Sequence, residues 1–224
     1  NPGRFVQSVS ESSFDAWVKF YRQDENSNNA GTSYYNKGCL VALCLDLGLR
    51  LRGSSLDALM HKLYENALKG IQVHERTIVE LCNELTGDNW IEQINHLINT
   101  TDELPLDQLF PEFGLSYSLK NDKSLPLGLK LVEKPEGVLV QSARRDGAAA
   151  QAGLSAHDVI IAIDGLKATM KLVEKYAKQE GSYSILAFRR DELMSFDVKA
   201  SGSELTEVEL KVEDQAKAEK WFKA

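Results

Sequence analysis

Residues 126–165 read PLGLKLVEKPEGVLVQSARRDGAAAQAGLSAHDVIIAIDG. The runs LGLKLVE, GVLVQSA and DVIIAIDG are short, apolar and rich in β-branched residues, and Gly, Pro and Asp separate them. That spacing predicts strands joined by tight turns, interrupted by a short Ala-rich helix at Gly147 to Ala152. Moving outward toward the C-terminus, SYSILAFRR and LMSFDVKA continue the strand pattern after a helix at about Thr169 to Lys178. LTEVELKVEDQAKAEKWFKA then reads as a strand followed by a terminal helix. Toward the N-terminus the strand period extends back to LSYSL at Leu115, and there it stops.

The first 113 residues have a helical period instead. Glu11 to Tyr21 carries Phe14, Trp17, Val18 and Tyr21 at spacings of three and four, which predicts one helix, and RQDENSNNAGTS predicts a loop. Ser33 is placed to cap a helix from about Tyr34 to Arg52 that Gly53 ends. Ser54 or Ser55 caps another through about Lys69, HERTIVELCNELTG forms a helix ended by Gly87, and a further one starts at Asp88. Pro111 and Gly114 close a short turn-rich helix. The expected fold class is α+β and multidomain: a helical domain at 1–114, a β-rich domain at 115–202, and a strand-and-helix extension at 203–224.

Composition bounds the function. The chain of 224 residues is 43% hydrophobic and 26% charged, a globular balance. Its net charge of −7 argues against a nucleic-acid partner, since the tight basic clusters are just Arg144-Arg145 and Arg189-Arg190. The longest apolar run, near residues 39 to 49, contains Asp46 and falls short of the roughly 20 residues a membrane span needs. No membrane partner is expected. Cys39, Cys44 and Cys82 form no disulfide framework and are expected to be reduced core residues. Unpaired cysteines suit the cytoplasm, while a periplasmic location stays open, because the start at NPGRF without Met reads as a piece of a longer chain whose upstream part would hold any export signal.

The 126–165 stretch resembles a PDZ domain of the bacterial arrangement, with a partly open β-barrel and two helices. Pro126, Leu127, Gly128 and Leu129 match the family's apolar-Gly-apolar loop, whose backbone N–H groups receive a peptide's terminal carboxylate. Ala-Gly-Leu at 152–154, Asp158-Val159-Ile160 and Asp164-Gly165 match the helix, turn and strand that follow. The resemblance implies a groove between Leu129–Val132 and the Thr169–Lys178 helix, filled by a peptide or by an intramolecular segment. His157 stands where the family usually has Gly, so a left-handed backbone is expected there. It reads either as a pH-responsive or ligand-contacting residue or as an exposed turn residue.

Upstream, residues 33–38 read SYYNKG. Tyr35, Lys37 and Gly38 match three positions of the Tyr-Glu-Lys-Gly motif that opens a helix in zinc aminopeptidases of the gluzincin type; Asn36 departs from it. With the double tyrosine, the later SLDALMHKL and a following PDZ domain, the whole chain resembles the C-terminal third of a glycyl aminopeptidase family enzyme. The resemblance implies an upstream thermolysin-like catalytic domain with a His-Glu-x-x-His zinc motif, peptide N-termini as substrate, and Tyr35 stabilising the oxyanion, with Tyr34 as a possible cleft-lining neighbour. Lys37 and Gly38 are assigned to geometry.

The zinc motif is missing here. HERTI at 74–78 has Ile78 where a second His would stand, and reads as the acidic first turn of a helix. His61, His74, His96 and His157 never pair at i, i+4. The chain alone is therefore expected to bind no catalytic metal and to hydrolyse nothing, zinc being expected in the full-length protein. No Gly-x-Ser-x-Gly elbow or phosphate-cradling loop is present, and the upstream serine motif of PDZ-tailed trypsin-like proteases is absent. The alternative is a non-enzymatic PDZ scaffold that binds peptide C-termini.

Overall fold

The computed structural model describes residues 1–122, 127–201 and 204–222, so Pro126, expected at the carboxylate loop, lies outside the described residues. In chain order, a 3₁₀ turn at Pro2–Phe5 precedes helix α1 (Val9–Phe14) and a π-helical turn at Ala16–Phe20. Helices α2 (Ser27–Ala30), α3 (Tyr34–Arg50), α4 (Leu56–Leu68), α5 (Thr77–Thr86), α6 (Ile91–Asn99) and α7 (Leu106–Glu112) follow. Then come β1 (Leu115–Asp122), β2 (Leu129–Lys134), β3 (Gly137–Ala143), α8 (Ala148–Gln151), β4 (Val159–Ile163) and β5 (Leu166–Lys167). Helix α9 (Met170–Tyr176), strands β6 (Gly181–Arg189), β7 (Glu192–Ala200) and β8 (Glu204–Val212), and α10 (Gln215–Phe222) complete the chain. The fold is α+β, as the change of period at Leu115 predicts.

The residues group into two compact units that interleave along the chain. One holds 7–20, 32–117 and 210–224; the other holds 1–6, 21–31 and 118–209.

The helical unit is built on α3. Ser33 caps it by accepting from the Asn36 N–H at 3.2 Å, and Ser55 caps α4 through the Ala58 N–H at 3.1 Å. Gly87 closes α5 in the left-handed conformation. Leu45, Leu49, Leu59, Leu81, Cys82, Trp90 and Ile94 form one buried cluster. Gly48 lies beside it, where a Cβ would press on the Trp90 ring at 3.0 Å. A second cluster joins Leu47 of α3 to Phe110, Phe113, Leu115 and Ala218 of the terminal helix.

Three local expectations are corrected. The predicted Glu11–Tyr21 helix breaks: α1 ends at Phe14, a π-turn follows, and Phe14 and Trp17 are 90% and 80% exposed, so the spacing marks a solvent face and not a core face. Glu75 lies before α5, which starts at Thr77, so it does not load the helix's first turn. Cys39 is exposed, one turn above the α3 cap, where the neighbouring helices do not reach it; Cys44 and Cys82 are buried.

The β-rich unit is an antiparallel sheet in the order β2-β3-β4-β6-β7, with β5 paired to β4. Val138, Val140, Ile185 and Val198 alternate inward, Ile160 and Ile163 turn to the same side across a register irregularity in β4, and all six are fully buried with Leu127 and Val173. Asp158 is also fully buried, paired in bidentate fashion with the Arg189 guanidinium at 2.8 Å on both oxygens and accepting from the Ser155 N–H at 2.8 Å. This explains the Asp of the Asp-Val-Ile run as a structural anchor. Residues 1–6 and 21–31, placed from sequence in the helical domain, group with this unit instead, with Gly3 pressed on Gly31 so closely that any Cβ on Gly3 would overlap it.

Candidate functional site

The tyrosine pair sits on the first turn of α3, and the residues that hold it there come from α1 and from the segment just before its cap. Gln7, nearly buried, accepts from the Thr32 N–H at 3.2 Å, and the Ser12 hydroxyl donates to the Thr32 carbonyl at 2.6 Å. With both polar groups of Thr32 fixed and Ser33 capping the helix, Tyr34 and Tyr35 emerge at the first two helical positions in a defined direction. Sequence reasoning missed Gln7 and Ser12, whose partners are 25 and 20 residues away and carry no motif.

Tyr34 and Tyr35 stack, with ring centroids 4.3 Å apart, and Phe20 closes on them at 5.2 and 5.9 Å. Tyr35 is 57% exposed, and Leu40 one turn on is also exposed. Lys37, assigned to geometry, is buried, and a Cβ added to Gly38 would meet nothing within 4 Å. Chemically, an exposed phenol at the positive end of a 17-residue helix is a hydrogen-bond donor suited to an oxygen that gains negative charge.

Among the described residues, no three His, Cys, Asp or Glu side chains come close enough to hold a metal ion. His74 lies 3.6 Å from Glu80 and His96 lies 3.5 Å from Asp102, each an exposed pair. Also among the described residues, no helix is long and apolar enough to cross a membrane.

In the β-rich unit, Leu127, Gly128 and Leu129 lead into β2, which is the edge strand of the described sheet, with α9 packed beside it. Gly128 has φ of 68°, and a Cβ there would stand 2.7 Å from the Gly147 Cα, so no other residue fits. Leu127 is buried, and its carbonyl accepts from the Ala149 N–H at 3.2 Å; the Gly128 carbonyl accepts from the Arg144 N–H at 2.8 Å. The loop is thus held from below by the turn after β3. Thr169 caps α9 by accepting from the Leu172 N–H, and Val173 of α9 is buried in the core of the unit. His157 has the expected left-handed backbone, φ 72°, and its exposed ring stands 3.5 Å from Glu25.

Residues 1–41 match the M61 glycyl aminopeptidase family and residues 116–180 match the PDZ domain. A solved structure from Idiomarina loihiensis, described as an aminopeptidase N family protein, aligns over 99% of this chain at 33% identity with a TM-score of 0.84. This chain spans 41% of that protein's length. The HtrA3 PDZ domain bound to a phage-derived ligand aligns over 42% of this chain and 92% of its own at 14% identity, TM-score 0.32. The PDZ domain of EpsC from Vibrio cholerae aligns over 32% of this chain and 74% of its own at 18% identity, TM-score 0.25. No curated protein matches. With the family match running through the tyrosine pair and the PDZ match over the β-rich strands, this chain carries a PDZ domain and, over residues 1–41, is similar to the M61 glycyl aminopeptidase family.

Proposed function

We propose that this chain is the part of an aminopeptidase that supplies Tyr35 as an oxyanion donor and a PDZ domain as a peptide-binding site, the metal being held by an upstream domain outside this chain. The observation that carries the reading is the family match over 1–41, which includes Tyr35 at the exposed first turn of α3. It favours an enzyme over a free-standing PDZ scaffold.

When a peptide carbonyl is attacked, charge grows on its oxygen, and a positioned phenolic O–H stabilises that charge more than it stabilises the substrate. Tyr34 and Phe20 hold the ring by stacking, and Thr32, clamped by Gln7 and Ser12, holds the backbone. The zinc expected upstream would supply the attacking water; every residue of this chain acts by positioning and hydrogen bonding. Phe14, Trp17, Val18 and Leu40, exposed on α1, the π-turn and α3, offer apolar surface for the upstream domain to cover.

In the PDZ domain, an extended peptide would add to the β2 edge beside α9, its carboxylate at the backbone of Leu127 to Leu129. The enzyme reading is tested on the intact protein carrying its upstream domain, by steady-state hydrolysis of an amino-acid 4-nitroanilide. Zinc-dependent turnover that falls about 10²- to 10³-fold in Tyr35→Phe supports it, the usual cost of one oxyanion donor. Unchanged turnover removes Tyr35 from the site.

A further inference from the structure

The PDZ unit contains a segment that a PDZ domain read from sequence does not include. Residues 21–31 group with the strands, and Asn29, only 7% exposed, plugs its carboxamide into the turn that follows β3. Asn29 Oδ1 accepts from the Arg145 N–H at 2.8 Å, and Nδ2 donates to the Ala143 carbonyl at 2.8 Å. The Asn26 side chain accepts the second Nδ2 proton at 3.2 Å. One side-chain amide thus pairs with two backbone groups of residues 143 and 145, as a neighbouring strand would. The residue between them, Arg144, uses its own N–H to hold the Gly128 carbonyl at 2.8 Å, and Gly147 in the same turn packs against the Gly128 Cα.

We propose that Asn29 is a positioning residue for peptide recognition, fixing the 143–145 turn and through Arg144 the Gly128 backbone that receives a C-terminal carboxylate. The inference rests on the PDZ reading given above. Its physical basis is that a buried amide with both ends bonded to backbone tolerates little movement, while loss of either partner leaves a buried N–H or C=O unsatisfied. The turn would then relax and take Gly128 with it. Glu25, on the same segment, stands 3.5 Å from the exposed His157 ring and away from the Asn29 bonds, and so serves as the control for a contact of the segment that does not involve the turn.

The test uses the whole chain and a panel of octapeptides ending in Val, Leu, Ile, Phe or Ala, each made as the free acid and as the C-terminal amide. The expected result is that the wild type prefers the acid form, that Asn29→Ala and the milder Asn29→Asp weaken acid binding by about tenfold with little change for the amide, and that Glu25→Ala does neither. Hydrogen exchange gives a reading that needs no ligand: the Arg144 N–H should exchange at least about tenfold faster in Asn29→Asp, while the Val140 N–H, bonded to the Asp158 carbonyl, stays as protected as before. Unchanged exchange at Arg144, an acid preference kept in both variants, or an equal loss in Glu25→Ala would overturn the proposal. A wild type with no preference for the acid sinks the carboxylate reading itself, and the exchange result then decides the positioning role alone.

Discussion

The rings of Tyr34 and Tyr35 stack with their planes inclined by 30° and their centroids 4.3 Å apart. Consecutive helical residues normally diverge by about 100°, so a stack between them requires both side chains to lean to one side. Phe20 supplies the reason, edge-on to Tyr34 and tilted against Tyr35. The pair behaves as one rigid aromatic unit in which Tyr34 orients Tyr35.

Removing the orienting ring should therefore harm turnover without removing the donor. Tyr34→Phe keeps the stack and is expected to retain activity within about twofold, whereas Tyr34→Ala loses an aromatic pair of about 0.5–1.5 kcal/mol and should lower kcat by about tenfold, KM changing less. Equal losses in the two variants would show that the Tyr34 hydroxyl, and not its ring, matters.

The helical unit should show acid sensitivity traceable to Asp46. Burial pushes its carboxyl up, but hydrogen bonds from the Leu56 N–H, Arg50 and the Trp221 indole outweigh burial and hold it below its ordinary 3.8. A depressed carboxyl favours the folded state above its unfolded value, so this stabilisation is present above about pH 4 and is lost as pH falls through the folded value. Urea midpoints followed by tryptophan fluorescence should decline below pH 4 in the wild type. Asp46→Asn should start about 2 kcal/mol less stable at pH 6 and decline less steeply. Parallel pH curves would contradict the assignment.

Thiol reactivity should split one to two. Cys39 is exposed, while burial pushes Cys44 and Cys82 up to about 11. At pH 8 a thiol of that acidity is ionised to about one part in a thousand. A disulfide reagent should therefore titrate one thiol per chain rapidly and the other two only on unfolding. Three equivalent thiols would show that α3 or α5 opens.

His157 holds a left-handed backbone, φ 72°, that costs a non-glycine residue about 1–2 kcal/mol. Glycine offsets part of that gain through its larger unfolded-state entropy, and the exposed contact to Glu25 adds little. His157→Gly should raise the stability of the PDZ unit by about 0.5–1 kcal/mol in chemical denaturation. A loss of stability would assign His157 a structural role that its turn geometry does not explain.

Much of the architecture was legible because it rests on local signals. Ser33, Ser55 and Gly87 mark helix ends by short-range bonding, and the alternation of Val138 and Val140 marks a sheet face. His157 announced its left-handed backbone through its place in a motif. What stayed hidden depends on partners distant in sequence. Phe14 and Trp17 have helical spacing, yet spacing cannot tell a face that packs internally from one left open. Asn29 sits in a polar run that reads as loop, and its bonds reach 114 and 116 residues along the chain. Gln7 and Ser12 likewise hold Thr32 through single polar contacts without any periodic trace.

The most direct measurement of the central claim compares substrate with a tetrahedral phosphinate analogue on the intact protein. If the Tyr35 hydroxyl bonds an oxygen that carries charge only as the reaction proceeds, Tyr35→Phe should weaken analogue binding by about 10²- to 10³-fold while KM for the substrate stays within a few fold. Equal weakening of both, or of neither, would contradict it.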